Sequence, residues 1–414
     1  MLGAGPPPLR ASGLYPTAAA DLGKVRFPGG RILRGPRNGE EPLDRAPILT
    51  WNDRGGMRET QHRGHVVLLD DAGGRRVLGD PEYLTFPRSS LKPLQLLPLF
   101  SDPRFATLGL TREERAVLVA SHSGDERHVR AVRVVLAKAG IPEEALGCGV
   151  HPPIDSEAMK RLYAGGGEAG RIHHNCSGKH SGFLLRAKML GAPLKGYLDP
   201  DHPVQREVRE VLAKLGGVPP ADLEPAIDGC GAPTYRLPLS AMARAFRDLA
   251  NPELLPAPWR EGARMIFEAV NAAPHFLAGR GRFDTALLSA RPFRFLCKGG
   301  ADGFLALGVR AGNHGGGDWP PLGIAVKIED GATRGYETLV PRLLARLGLL
   351  NGREEELRRF AGGKIENSQK LEVGERHTVA DSEEELGWQP LETGSQGFRS
   401  VPETPTRGAS EQVS

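Results

Sequence analysis

The stretch FPRSSLKPLQLLPLF, residues 86–100, decides how the rest of the chain is read. Its second half is an apolar run suited to a core, yet it opens with Arg88, Ser89 and Ser90, and Lys92 sits just inside the apolar part. Read as a helix, the stretch puts Ser89 and Lys92 on one face a single turn apart. It turns Ser90 about 100° away, so Ser90 reads as structural. A serine hydroxyl is a weak nucleophile until a base removes its proton, and a lysine held neutral by burial or a nearby cation can be that base. Taken alone, the spacing is common, and a solvated or structural pair explains it as well.

Working outward, VASHSGDERH places Ser121 and Ser123 in a glycine-containing break between helical segments. FLCKGGADGF places Lys298 before two glycines at the entry to late strands. Ser-x-x-Lys, then a serine in a short turn, then Lys-Gly on a late strand resembles the element order of penicillin-binding proteins and β-lactamases. Here Ser-His-Ser stands where Ser-Asp-Asn is usual, and Gly where Thr is usual. Two lysines beside one pocket favour each other's neutral form, and glycines let a backbone N–H approach a developing oxyanion. The plainer alternative is that Ser121 caps a helix and Lys298 a turn.

The 414 residues, 39% of them hydrophobic, suffice for one large domain or two ordinary ones. A net charge of +4, with bases and acids interspersed, gives no footprint for nucleic acid. No run of about 18 apolar residues spans a bilayer, and the first residues lack the apolar segment of a secretory signal, so a cytoplasmic protein without a membrane role is expected. Cys148, Cys176, Cys230 and Cys297 are too few to staple the chain. Residues 1–47 read as a flexible extension and 379–414 as a disordered tail. Between them, 48–378 reads as one catalytic domain. GHVVLLDDAGGRRVLGD is a hairpin signal near its start, and GFLALGVRAG with PLGIAVKIEDG is another near its end. The segments between are mostly helical. The expected fold class is therefore α/β (α+β), an antiparallel sheet assembled from both chain ends with a helical region inserted.

RIHHNCSGKHSGFL crowds Cys176, Lys179 and His180 at the entrance to an apolar helix, and AIDGCGAPTYRLPL adds Asp228 and Cys230 between glycines. Neither CxxC nor HExxH is present, so spacing alone favours a substrate pocket over a metal site. Asp228 suits an ammonium group, and Lys179 or Arg88 a carboxylate.

HRGHVV, GDPEYLTFPRSSLKPLQ, ASHSGD, NCSGKHSGFL, DGCGAPTY, KGGADG and GIAVKIEDG occur in this order, and in that order the chain resembles the L-asparaginase II family over roughly 48–378. The resemblance implies hydrolysis of L-asparagine to L-aspartate and ammonia on a serine β-lactamase/glutaminase-like fold. It implies that Ser89 with Lys92, and Ser121 with Lys298, are paired catalytic groups. Cys176, Lys179 and Cys230 would hold Zn²⁺, with Arg88, Asp228 and His180 binding substrate. A lysine ligand must lose its proton, which zinc and burial both favour. A homodimer is expected too, with the C-terminal hairpin offering an edge. Alternatives are a glutaminase or β-lactamase-like acyl hydrolase, or a non-catalytic zinc-binding protein of the same fold.

Overall fold

The computed structural model describes residues 46–313, 318–381 and 389–390 of the chain. Most of the expected extension and tail therefore lies outside the described residues. A nine-stranded sheet runs through the molecule, and neighbouring strands in it come from opposite ends of the chain. The strand Met57–Asp70 is the hinge of this arrangement. Its exposed first half pairs with Ile48–Arg54, across a turn in which Gly55 and Gly56 both have positive φ, as a tight hairpin requires. Its buried second half pairs on one side with Arg75–Leu78 and on the other with Leu322–Ile328, Val66 facing Val326. Leu322–Ile328 pairs in turn with Phe304–Val309, and that strand with Phe295–Gly299.

Both predicted hairpins are present. Phe304–Val309 and Leu322–Ile328 are buried along their whole length, as befits strands covered on both faces. They lie inside the sheet with partners on both sides, so this hairpin has no free edge to offer a second chain, contrary to the expectation for a dimer contact. Lys364–Glu366 and Glu372–Thr378, which the sequence did not suggest, extend the sheet beyond Ile48–Arg54. They are polar and largely unburied, which hides them from a reading based on apolar alternation. Contacts continue past Thr378, since Gln389–Pro390 pairs with Arg75–Leu78.

Helices cover the sheet. Leu239–Ala250 lies directly against it, and a side chain at Gly308 or Gly323 would collide with the carbonyl oxygens of Phe246 and Ala243. The inserted helical region is as expected, with Arg112–Leu118, Glu126–Ala139, Ser177–Met189, Pro203–Gly216 and Ala257–Ala272 among its members. One large cluster of buried apolar side chains joins these helices to the sheet. Among the described residues, no helix is long and apolar enough to cross a membrane.

The stretch 86–100 is not one continuous α-helix. Arg88–Leu91 is a 3₁₀ turn, and the α-helix proper is Lys92–Phe100. Pro93 has no N–H to give to the carbonyl of Ser89, so that carbonyl takes the N–H of Lys92 instead, in the tighter i→i+3 pattern. In such a turn, residues three apart eclipse one another. Ser89 and Lys92 thus remain on one side of the backbone despite the change of helix type. Arg88, just before, has φ +52, a left-handed conformation that costs a non-glycine residue about 1–2 kcal/mol.

Candidate active site

Lys92, at the start of its helix, is fully buried. Its amine donates to the carbonyl of Ala120 (2.6 Å) and to the Ser121 hydroxyl (2.9 Å). Ser121 lies in the segment between Arg112–Leu118 and Glu126–Ala139, as predicted, and its N–H donates to Leu277 O at 2.9 Å. It does not cap the following helix, whose cap is Asp125. Ser89 is half-buried, and its hydroxyl has no hydrogen bond among the described residues. Ser90, by contrast, is fully buried and donates to Lys298 O at 2.6 Å. That bond joins the Ser89 turn to the edge strand Phe295–Gly299. A side chain at Gly300 would strike the carbonyl of Pro87, so the second glycine of Lys-Gly-Gly is what lets the turn and the strand meet.

The Lys298 amine donates to Asp284 Oδ2 (3.3 Å) and to Gly299 O (2.8 Å). Burial pushes its pKa down to about 8, with the Asp284 carboxylate opposing and the charge of Lys92 assisting. The charge of Lys92 is therefore felt at Lys298. The glycine N–H groups, expected to face an oxyanion, are otherwise engaged. Gly299 N–H donates to Asp284 (3.1 Å) and Gly300 N–H to Phe304 O (2.8 Å). Asp284 escaped the sequence reading because an acid in the first turn of a helix, here Phe283–Ala290, is an ordinary helix feature.

Arg88 and Asp228, each expected to meet one end of a substrate, meet each other: Arg88 Nε donates to Asp228 Oδ1 at 2.6 Å. Arg88 Nη1 also reaches the largely exposed Asp302 carboxylate at 2.8 Å. Asp302 lies in the KGGADG motif, but nothing in its spacing set it apart from its neighbours. His180 is wholly buried, with Nδ1 2.6 Å from the Tyr197 hydroxyl, and burial pushes its pKa down to about 4.

Cys176, Lys179 and Cys230 are all buried, and the Lys179 amine lies 3.1 Å from Cys230 Sγ. The thiol of Cys176 beside it holds Cys230 far below the usual thiol range despite burial, with Lys179 and His180 adding to the effect. The same contact and burial push Cys176 well above that range. Burial disfavours the charge on Lys179, but the negative charge at Cys230 outweighs it and raises the amine. Without metal, then, Lys179 is not the depressed amine expected but the ammonium partner of a thiolate. Two sulfurs and an amine nitrogen in one buried cluster remain a donor set that suits Zn²⁺, provided Lys179 gives up its proton. A second group, missed in the sequence, brings one atom each of Asp125, His128 and His275 within 4.8 Å of one another. No spacing rule reveals it, since His275 is 150 residues from Asp125.

A family model described as L-asparaginase II matches residues 51–378. No curated protein matches the chain. Among solved structures, the chain is similar to a probable glutaminase from Bacillus subtilis complexed with 6-diazo-5-oxo-L-norleucine. The identity is 12%, the alignment covers 66% of this chain and 78% of that one, and the TM-score is 0.30. It is also similar to Mglu in its native form, at 15% identity over 71% of this chain and 66% of that one, with a TM-score of 0.31.

Proposed function

The chain belongs to the L-asparaginase II family, and from that premise we propose that this amidohydrolase cleaves the side-chain amide of L-asparagine, giving L-aspartate and ammonia. The observation that carries the reading is the Lys92 amine, buried and aimed at Ser121, one 3₁₀ turn after the unengaged hydroxyl of Ser89. A neutral amine has two N–H bonds and one lone pair. The two donations of Lys92, to Ala120 O and Ser121 Oγ, use both N–H bonds and leave the lone pair for the Ser89 proton.

Ser89 Oγ then bonds to the amide carbon as its proton passes to Lys92. The C–N bond breaks, and the departing nitrogen takes a proton from Lys92 through Ser121 to leave as ammonia. Water, deprotonated by the same amine, hydrolyses the acyl-Ser89 ester and restores the serine. Lys298, with a pKa of about 8, supplies a positive charge beside the site. Asp228 and Asp302 flank Arg88 and together present carboxylate to the α-ammonium group of the substrate, while Arg88 remains to meet its α-carboxylate. Cys176, Lys179 and Cys230 would hold Zn²⁺, which when bound supplies a fixed positive charge that orients the substrate's polar end.

The test is ammonia release from L-asparagine, with L-glutamine and a chromogenic β-lactam assayed alongside. Turnover of asparagine with an acyl adduct trapped on Ser89 is the expected result. No ammonia from asparagine would overturn the reading, and faster release from glutamine would reassign the substrate.

A further inference from the structure

We infer that the cleft between the helices Glu126–Ala139 and Ser156–Ala164 binds a single-chain amphiphile with a carboxylate head, the class of a medium-chain fatty acid. The cavity measures about 640 Å³, within the range of about 300–1,000 Å³ usual for small-molecule sites. None of Ser89, Lys92, Ser121 and Lys298 lines it, so it is a second site. Gly124 and His173 lie at one end, where a side chain at Gly124 would strike the carbonyl oxygen of His173.

The apolar part follows from the helix pattern. Along Glu126–Ala139 the positions that line the cleft are 126, 129, 130, 133, 134 and 137. That is a stripe at helical spacing, running about 16 Å. Val129, Val134 and Ala137 supply its apolar surface, and Ala158 and Leu162 answer from the other helix. Val134 and Leu162 belong neither to the buried core clusters nor to the side chains packed against them. Their apolar surface is thus open to the chain of a ligand.

The polar part selects an anion. Three guanidinium groups, of Arg130, Arg133 and Arg161, line the cleft against one carboxylate, Glu126. Glu126 accepts from Arg161 Nε (3.2 Å), and Glu143, outside the cleft lining, accepts from Arg133 Nε (3.0 Å). Arg130 has no hydrogen bond or ion pair among the described residues. The uncompensated charge in the cleft is therefore one positive unit, on Arg130. A carboxylate matches it in charge, and a guanidinium can take both carboxylate oxygens at once.

Calorimetric titration of the full chain with sodium decanoate, kept below its micelle concentration, tests the site. One equivalent should bind per chain. Butyrate has the head with little chain, and decyltrimethylammonium has the chain with the opposite charge. Each should bind about 10-fold more weakly or not at all. Arg130→Ala should weaken decanoate binding about 10-fold, and Ala137→Glu, which sets an acid in the apolar floor, should abolish it. Both positions are exposed, so neither change disturbs the core. No binding of decanoate would overturn the inference, as would binding that neither substitution weakens. Equally tight binding of decyltrimethylammonium, or of hexaglutamate as an acidic peptide without an apolar chain, would overturn it too. Sedimentation supplies the last arm, since a dimer that Ala137→Glu dissociates would assign the cleft to a second copy of the chain instead.

Discussion

Two buried lysines face each other across the candidate site, and their surroundings differ. On the helical side, Lys92 gives its hydrogens to a carbonyl and a hydroxyl, both neutral. On the sheet side, Lys298 leans on the carboxylate of Asp284, itself buried and fixed by Gly299 N–H. On the proposed mechanism, proton transfer falls to Lys92 and a supporting electrostatic task to Lys298.

The largest effect should come from the hydroxyl that neither lysine engages in the resting site. Ser89→Ala should lower asparagine hydrolysis by about 10⁴-fold or more, measured as ammonia release by folded protein. Full activity in that variant would transfer the nucleophile to Ser121. Next comes the contrast itself. Lys92→Met should cost about 10³-fold in kcat and Lys298→Met about 10²-fold, and the reverse order would invert the assignment.

A pH profile sharpens the comparison further. The Lys298 amine, at about 8, loses its charge as pH rises through that value, so its electrostatic support is lost and kcat/KM should fall over the same range. Asp284 raises the Lys298 pKa. Asp284→Asn removes that influence, so the fall should move to lower pH, and a limb that stays in place or moves upward would separate Asp284 from the titration. The smallest effect belongs to the link between the two sides. Ser90→Ala removes the buried hydrogen bond to Lys298 O and should cost about 1 kcal/mol. That lowers Tm by about 2 °C with kcat nearly unchanged.

The residues that make up this contrast were unevenly legible. Ser89 and Lys92 stand out because their chemistry is local and their spacing survives the exchange of an α-helix for a 3₁₀ turn. Lys298 stands out because glycines mark the close approach of its strand to Pro87. The partners were not legible. That Lys92 reaches Ser121, and Lys298 Asp284, depends on how helices pack on the sheet, and Asp284 in sequence is only an acid near a helix start. The same holds for the fold. Strands buried on both faces, such as FLALGV, declare themselves through continuous apolar runs. The polar strands Lys364–Glu366 and Glu372–Thr378 are held by backbone pairing and polar contacts such as His377 with Asp53, and leave no such trace. Asp125, His128 and His275 are the extreme case, since only the tertiary structure brings them together.

The interleaving of early and late strands has a consequence for how the protein is made. Val66 cannot meet Val326, nor Ser90 reach Lys298, until most of the chain has left the ribosome. At about 5–20 residues per second, the apolar segment HVVLL of the early strand waits on the order of tens of seconds for its partner. Throughout that interval it is an unpaired, aggregation-prone edge. Soluble yield in a cell should therefore respond to chaperone supply and to slower growth temperature more than the stability of the finished fold would suggest.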